Sequence, residues 1–264
     1  MAQDRRPKPG RRPPPRPQPR AADSSWLWGR HAVEAALANP RRTCLRLLAT
    51  APALERLAAR LRPGLAVETV PPEAIGRAVG EDEVHQGLAL QVKPLAPLAL
   101  ADAVPRAGPS LMLALDQVSD PRNAGAILRS AAAFGVDAVL VPERRSAELG
   151  GVAARAAAGG LDLVPLVEVV NLARALAALK EQGYWVVGLD GEAPGGLEAL
   201  PDFARVVLVL GSEGHGLRRL VAEQCDGLAR IAIDARIESL NVAVAAGIAL
   251  HALRARLAAA TAAP

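Results

Sequence analysis

Polar side chains cluster in three short segments of the chain, residues 116–129, 211–217 and 231–241, and each segment follows an apolar run. Amides, a guanidinium, a carboxylate and a hydroxyl can bind and orient a substrate. The segments contain no metal-binding cluster, no nucleophilic cysteine–histidine pair and no paired catalytic carboxylates. Such a set suits a reaction in which a cofactor supplies the reactive group. The candidate residues are Asn123, Arg129, Glu213, Ser239 and Asn241.

The first segment predicts the start of a helix. Asp120 followed by Pro121 is typical of an N-cap and first turn, so a structural role accounts for Asp120. Gly125 lies early in this helix, where glycine costs up to about 1 kcal/mol, so we expect something to approach the backbone there. Arg129 stands alone in an apolar stretch, where it either extends its head group to solvent or binds a ligand.

The second segment is rich in glycine. Three glycines within residues 211–216 permit a tight loop and backbone contact with a ligand. The spacing fits neither the dinucleotide-binding pattern nor the P-loop, which disfavours a nicotinamide dehydrogenase or a P-loop NTPase. Glu213 is either solvated or, because it follows a strand, functional. His215 has no carboxylate or cysteine at a diagnostic spacing, and we expect no catalytic role for it.

The third segment leads into a long helix, which Ser239 or Asn241 is expected to cap. Residues 242–249 are mostly alanine, valine and glycine. This smooth surface indicates close packing against a core or against a second subunit.

The three segments lie within an alternation of apolar strands and helices, which is typical of a parallel sheet covered on both faces. Ligands of such sheets bind outside the carboxyl ends of the strands, so the segments should meet there. The predicted strands are Leu111–Leu115, Ala138–Val141, Leu163–Val167, Trp185–Leu189, Val206–Leu210 and Ile231–Ile233. The predicted helices cover 123–134, 148–158, 171–182, 218–224 and Val242–Ala259.

Three regions precede this domain, which we assign to residues 110–264. Residues 26–93 form a small α/β unit, and the proline-rich residues 94–109 form a linker with one short helix. Residues 1–25 carry seven basic and two acidic residues, a net charge of +5, whereas the remaining 24 basic and 25 acidic residues give −1. This arginine- and proline-rich tail is expected to be disordered, either as an inert leader or as an arm attracted to nucleic acid.

The composition disfavours several classes of protein. With 51% apolar residues, the 264-residue chain can bury a sizeable core. Six aromatic residues argue against an RRM-type sheet that stacks bases, and two cysteines cannot form a disulfide framework. No apolar run approaches a membrane span and no signal peptide is recognisable, so we expect a cytoplasmic protein without a membrane partner.

Three stretches resemble the three motifs of the SpoU/TrmH family of RNA ribose 2′-O-methyltransferases: DPRNAGAILRSAAAFG, VLVLGSEGHGL and IESLNVAVAAGIALH. They occur in the family's order over about residues 109–259. The front unit resembles the RNA-binding domain of the RlmB-type members, with WGRHAVEAALA near its start and VHQGLAL near its end. That domain is similar to small ribosomal proteins that bind kinked RNA.

The resemblance implies a SPOUT fold, an α/β fold in which a parallel sheet ends in a deep C-terminal trefoil knot. It also implies a homodimer that binds S-adenosyl-L-methionine within the knot and needs no metal. The residues that match cofactor-contacting positions are Gly211, Ile231 and Leu240. The residues that match catalytic and substrate-orienting positions are Asn123, Arg129, Glu213, Ser239 and Asn241.

The implied activity is transfer of a methyl group to the ribose 2′-hydroxyl of a guanosine in large-subunit (23S) rRNA. One alternative is tRNA ribose methylation, which the RlmB-type front unit disfavours. The other is a non-catalytic RNA-binding or ribosome-assembly protein on the same scaffold, which the intact set of motif residues disfavours.

Overall fold

The computed structural model describes residues 24–144, 146–212 and 214–262, which form two sheets flanked by helices. Residues 1–23, which contain all the charges of the basic tail, lie outside the described residues, as does Glu213.

The first sheet is mixed and lies in the front unit. Its elements are β1 (Ser25–Trp28), α1 (Arg30–Ala38), β2 (Cys44–Ala49), α2 (Ala51–Leu57), β3 (Ala66–Thr69), α3 (Pro72–Val79) and β4 (Leu88–Val92). The strand order is β1-β4-β2-β3; β4 pairs antiparallel with both neighbours, and β2 pairs parallel with β3. Strand β1 was not predicted from the sequence, because its four residues beside the tail are too few to show a strand period.

The second sheet has six strands, all parallel, in the order β10-β8-β9-β5-β6-β7. The elements that form it and cover it are α4 (Leu100–Ala103), β5 (Ser110–Leu115), α5 (Pro121–Ala133), β6 (Ala138–Pro142), α6 (Gly151–Ala157), α7 (Gly160–Leu163), β7 (Leu166–Val169), α8 (Leu172–Glu181), β8 (Trp185–Leu189), β9 (Arg205–Leu210), α9 (Arg219–Ala222), β10 (Gly227–Ala229) and α10 (Val242–Ala262). The central strands β5 and β9 are almost wholly buried, as continuous apolar runs predict. The predicted parallel sheet preceded by a small α/β unit is confirmed.

Two strand predictions are wrong in position. The last strand is Gly227–Ala229, beside β8, and not Ile231–Ile233. The chain leaves the sheet after Ala229, and Ile231 and Ile233 line a cavity instead, which accounts for their apolar character. The predicted strand Leu163–Val167 is divided between two elements, because α7 ends at Leu163 and β7 begins at Leu166, just after Pro165.

The expectation that no apolar run approaches a membrane span is wrong for α10, which is long and apolar enough to cross a membrane by length and composition alone. In this fold one side of it packs into the core through fully buried residues such as Ala246, Leu250 and Leu253. Near its end, Arg254 donates to the carbonyl oxygen of Phe134, at 2.7 Å. These contacts are those of a helix that covers a sheet.

The front unit packs directly against α6 and α7. The Cβ that a side chain at Gly151 would carry lies 1.8 Å from the Trp28 ring, and that of Gly159 lies 3.0 Å from the Ala35 Cβ. Only glycine allows so close an approach.

A buried ion pair joins the same surfaces. Arg42 donates to Asp162 through Nε (2.8 Å) and Nη2 (3.0 Å), and both side chains are at most 3% exposed. Asn39 Nδ2 donates to the same carboxylate at 3.0 Å. The bidentate geometry fixes the front unit on α7.

Candidate functional site

A cavity of about 540 Å³ opens at the carboxyl ends of β8 and β9, where the predicted segments were expected to meet. Three stretches of chain contribute to its wall: residues 189–191, residues 210–212 together with Gly214 and Gly216, and part of the stretch from Ile231 to Ala245. The predicted residues on its wall are Gly211, Ile231, Ser239, Leu240 and Asn241. The second and third polar segments therefore come together at one place.

Asn123 joins the first segment to the third. Asn241 Nδ2 donates to Asn123 Oδ1 at 3.0 Å, across 118 residues of sequence. Asn123 lies in the first turn of α5, which begins after the N-cap Asp120; the Asp120 carboxylate accepts from the Arg122 N–H at 2.8 Å. The predicted cap and first turn at Asp120-Pro121 are confirmed.

Asn241 also caps α10. Its Oδ1 accepts from the backbone N–H groups of Ala243 at 2.9 Å and Val244 at 3.4 Å. Of the two candidates for this cap, the structure selects Asn241 and leaves the Ser239 side chain exposed on the cavity wall.

The glycine-rich loop closes on itself. Ser212 and Gly216 exchange backbone hydrogen bonds of 3.0 Å in both directions. A Cβ at Gly211 would lie 2.3 Å from the Gly216 carbonyl carbon and 2.6 Å from the Leu217 nitrogen. Glycine is thus required at 211 by the loop's own backbone, as expected of a tight loop.

A buried carboxylate anchors this loop to the end of β5. Asp116 is fully buried; its Oδ2 accepts from the Arg218 N–H at 2.9 Å and its Oδ1 from the Arg218 Nε at 2.6 Å. The next residue, Gln117, adopts a φ of 64°, which turns the chain toward α5. The glycine-rich loop and the start of α5 therefore share one anchor.

Arg129 is exposed on α5, and its side chain forms no hydrogen bond or ion pair with another described residue. Six positions separate it from Asn123, so the two side chains leave the helix about 120° apart. The contact expected at Gly125 is not a ligand: a Cβ there would lie 2.3 Å from the Ala153 carbonyl oxygen of α6. Glu213 lies outside the described residues, and His215 is exposed at the tip of the loop.

The structure adds a residue that the sequence analysis missed. Asp190 follows β8 directly and lines the cavity, and its Oδ1 accepts from the Glu192 N–H at 2.9 Å. The rule that ligands bind at the carboxyl ends of parallel strands applies to β8 as well, and it would have identified Asp190.

Neither cysteine is ionised at neutral pH. Burial, reinforced by the Asp226 carboxylate, raises the pKa of the Cys225 thiol to about 11, and burial raises the pKa of the Cys44 thiol. In the segment 231–241, hydrogen bonds from Arg236 lower the pKa of the Asp234 carboxyl. Among the described residues, no group of three or more His, Cys, Asp or Glu side chains could hold a metal ion.

The cavity suits a cofactor with an apolar body and a few polar groups. Its volume falls within the range of about 300–1,000 Å³ that is typical of small-molecule sites. Apolar side chains form much of the wall, together with backbone of the glycine-rich loop and few polar groups. The apolar side chains are Leu189, Leu210, Ile231, Ile233, Ile237, Leu240 and Val242.

The fold and site define an α/β protein that binds a ligand at the carboxyl ends of parallel strands. Comparison with known families identifies it further. The SpoU rRNA Methylase family matches residues 110–251, and the family "RNA 2'-O ribose methyltransferase substrate binding" matches residues 26–98. The chain belongs to the SpoU rRNA methylase family, which confirms the resemblance found in its sequence, and it is an RNA 2′-O-ribose methyltransferase.

Individual relatives cover nearly the whole chain. A 23S rRNA (guanosine-2'-O-)-methyltransferase RlmB of Xanthomonas campestris is 42% identical over 89% of this chain and 98% of its own length. An "Uncharacterized tRNA/rRNA methyltransferase" of Mycobacterium avium is 40% identical over 90% of this chain and 79% of its own. The crystal structure of an AdoMet-bound rRNA methyltransferase from Sinorhizobium meliloti is 26% identical, covers 89% of this chain and 88% of its own, and has a TM-score of 0.75.

Proposed function

We propose that this chain transfers a methyl group from S-adenosylmethionine to the ribose 2′-hydroxyl of a guanosine in 23S rRNA. The observation that carries the proposal is that two of the motif segments line one cavity and that Asn241, on its wall, is hydrogen-bonded to Asn123 of the other motif segment. The 42% identical relative named as a 23S rRNA guanosine methyltransferase supports the choice of substrate.

S-adenosylmethionine supplies a sulfonium-bound methyl group that is already a strong electrophile. The cavity fits it, because apolar walls surround its body and the glycine-rich loop offers backbone groups at Gly211. Ile231 and Leu240 also line the cavity. We propose that these three residues contact the cofactor.

The chain's own residues must then present and activate the 2′-hydroxyl. Asn123 and Asn241 can hold the hydroxyl in line with the methyl group, and such positioning accounts for a large share of catalytic power. Ser239, exposed on the cavity wall, and Glu213, which lies outside the described residues, are proposed to orient the ribose.

Arg129 is proposed to stabilise the charge that develops on the hydroxyl oxygen. A guanidinium stays protonated in proteins, so it is a poor general base. It is a good donor to an alkoxide and a neighbouring phosphate at once. Its exposed position on α5 leaves it available to both groups.

A homodimer and a knotted C-terminus complete the proposal. The side of α10 that faces away from the core exposes Val244 and Ile248, one helical turn apart, with His251 beside them. An exposed apolar stripe of this kind suits a second copy of the chain. The knot is proposed from membership of the SpoU family, whose fold the sequence motifs imply. Sedimentation of the full chain, with Ile248→Glu as the dissociating variant, tests the dimer.

The front unit is proposed to bind the RNA, and an rRNA substrate implies a cytoplasmic setting. The basic residues of the tail, which lie outside the described residues, would add affinity for phosphates without selecting a sequence.

Methylation of tRNA is the second candidate function. It is supported by the 40% identical relative that is named as a tRNA/rRNA methyltransferase. The test is incubation of the protein with tritiated S-adenosylmethionine and, separately, naked 23S rRNA, bulk tRNA and assembled large subunits. We expect label in rRNA; label in tRNA alone would replace the proposal with the second candidate. Absence of transfer to any RNA would favour a non-catalytic protein.

A further inference from the structure

A second cavity, of about 240 Å³, lies in the front unit beside the start of α1. Its floor is apolar, because Ala53, Leu57 and Leu88 are each at most 3% exposed. Its walls are polar and come from α1, α2 and the loop before β4. The wall residues are Arg30, His31, Glu34, Arg56 and Gln86.

The charge of this cavity is positive. Arg30 and Arg56 are both exposed, and neither forms an ion pair with another described residue. The Arg30 guanidinium lies 3.2 Å from the His31 ring nitrogen, and the Arg30 backbone N–H donates to Gln86 Oε1 at 3.0 Å. Glu34 is the carboxylate on the wall, and it is bound at 2.6 Å by Arg60, which does not line the cavity. Two guanidinium groups are therefore left to receive an anion.

An apolar floor beneath two free cations matches the two halves of a nucleotide. The cavity is smaller than the sites of about 300–1,000 Å³ that enclose drug-sized ligands, so it suits one unit of a polymer. Proteins read RNA largely at unstacked bases that are turned out of the helix, with arginine on phosphates or base planes.

We propose that this cavity binds one nucleotide of the substrate RNA, with its phosphate on Arg30 and Arg56 and its base against the apolar floor. The proposal rests on the RNA methyltransferase function proposed above, and it adds a second contact point for the same substrate.

The cavity is held in fixed relation to the methyl-transfer site. Helix α1 also packs on the second domain, where Ala35 and the His31 backbone contact Gly159, and Arg155 of α6 donates to the Val84 carbonyl at 3.2 Å. The same α6 contacts α5 at Gly125. A nucleotide bound in this cavity of the front unit therefore lies at a fixed distance from the ribose at Asn123. The two binding points together select which nucleotide is methylated.

The test compares two exposed arginines in the full-length protein. Arg56→Glu reverses a charge on the wall of the front-unit cavity. Arg174→Glu reverses an exposed charge on α8, a helix that contributes no residue to this cavity. With unmodified 23S rRNA transcript, we expect Arg56→Glu to raise the Kd by at least about tenfold. The plot of log binding constant against log salt concentration should become less steep, by about 0.7–0.9 for each phosphate that the variant no longer neutralises. Arg174→Glu should change the Kd less than about twofold.

Binding of S-adenosylmethionine and thermal unfolding should be unchanged in both variants, since both side chains are exposed and remote from the larger cavity. Phosphate ethylation interference adds a local readout. At least one phosphate whose ethylation weakens wild-type binding should cease to matter in Arg56→Ala, and should still matter in Arg174→Ala.

An equal fall in affinity in the two charge reversals, or an unchanged affinity in Arg56→Glu, would overturn the nucleotide subsite while wild-type methylation still supports the enzyme. A wild-type protein that neither binds nor methylates RNA would overturn the proposed function and the subsite with it.

Discussion

Asn241 links the stability of a helix to the geometry of the site. Its side-chain oxygen accepts from the first N–H groups of α10, and its side-chain nitrogen donates to Asn123. The cap fixes the side chain's orientation, so the same residue can hold Asn123 without a further entropic cost. An asparagine at an N-cap is ordinary in sequence, and only the fold reveals its second partner.

Asn241→Asp separates the two roles. Aspartate caps a helix about as well as asparagine, so thermal unfolding should stay close to wild type. The donor to Asn123 is removed, and we expect single-turnover methyl transfer to fall at least about tenfold, or about 1.4 kcal/mol. Asn241→Ala should show the same kinetic defect and, in addition, lose about 1 kcal/mol of stability. Normal transfer by Asn241→Asp would show that the amide contact plays no part in the reaction.

Arg129→Lys and Arg129→Ala test the guanidinium. If the planar fork must engage the hydroxyl and a phosphate together, both variants should lose at least about 100-fold in single-turnover rate at saturating RNA, roughly 2.7 kcal/mol. Affinity for S-adenosylmethionine and stability should be nearly unchanged, because the side chain is exposed and does not line the cavity. A near-normal rate in Arg129→Ala would make Arg129 a surface residue of α5.

Among the secondary-structure elements, α5 is held in position by two close backbone contacts, one with α6 and one with α7. Gly125 faces the Ala153 carbonyl of α6, and Gly160 of α7 faces the Leu128 carbonyl of α5. The position of Gly125 was predicted to meet a close neighbour, but a sequence cannot say whether that neighbour is a ligand or a helix. The packing assigns it to α6.

Gly125→Ala should move α5 away from α6. A Cβ 2.3 Å from a backbone oxygen cannot be accommodated in place, and overpacking of this kind costs about 1–3 kcal/mol. We expect turnover to fall more than S-adenosylmethionine affinity, since α5 contributes no residue to the cavity wall. Gly195→Ala is the control, because its Cβ would meet Ala199 at an ordinary 3.5 Å. Equal effects of the two substitutions in urea unfolding would contradict this assignment.

Sequence periodicity located most of the second sheet and the ends of its strands, because buried parallel strands are continuous apolar runs. It failed where apolar residues serve another purpose. Ile231 and Ile233 line the cavity, and Gly227–Ala229, a poor strand by composition, pairs with β8 because the topology places it there. Nothing in a single sequence distinguishes these two uses of isoleucine.

For the molecule as a whole, the orientation of the two domains rests on contacts that no local pattern predicts. Arg42 and Asp162 lie 120 residues apart and form a buried bidentate pair, while Trp28 sits on Gly151. The sequence analysis treated residues 94–109 as a linker. Backbone and side-chain hydrogen bonds also tie this segment to both domains, at Ala96 and Leu98.

Asp162→Ala should weaken this junction. It leaves Arg42 buried without its partner carboxylate, which costs about 3–5 kcal/mol in comparable pairs. Glu68→Ala removes the carboxylate of an exposed pair with Arg46 and should cost less than about 1 kcal/mol. Urea unfolding measures both; an Asp162→Ala protein as stable as Glu68→Ala would show that the ion pair does not hold the domains together.

The central claim is that the site at the carboxyl ends of β8 and β9 methylates a ribose 2′-hydroxyl. The most direct measurement is mass spectrometry of nucleosides from 23S rRNA incubated with the wild-type protein and S-adenosylmethionine, beside Arg129→Ala as a control. The account predicts 2′-O-methylguanosine at one site, with an alkali-resistant phosphodiester beside it, and almost none with the variant. Methyl groups on bases, or no methylation of any RNA by the wild-type protein, would contradict it.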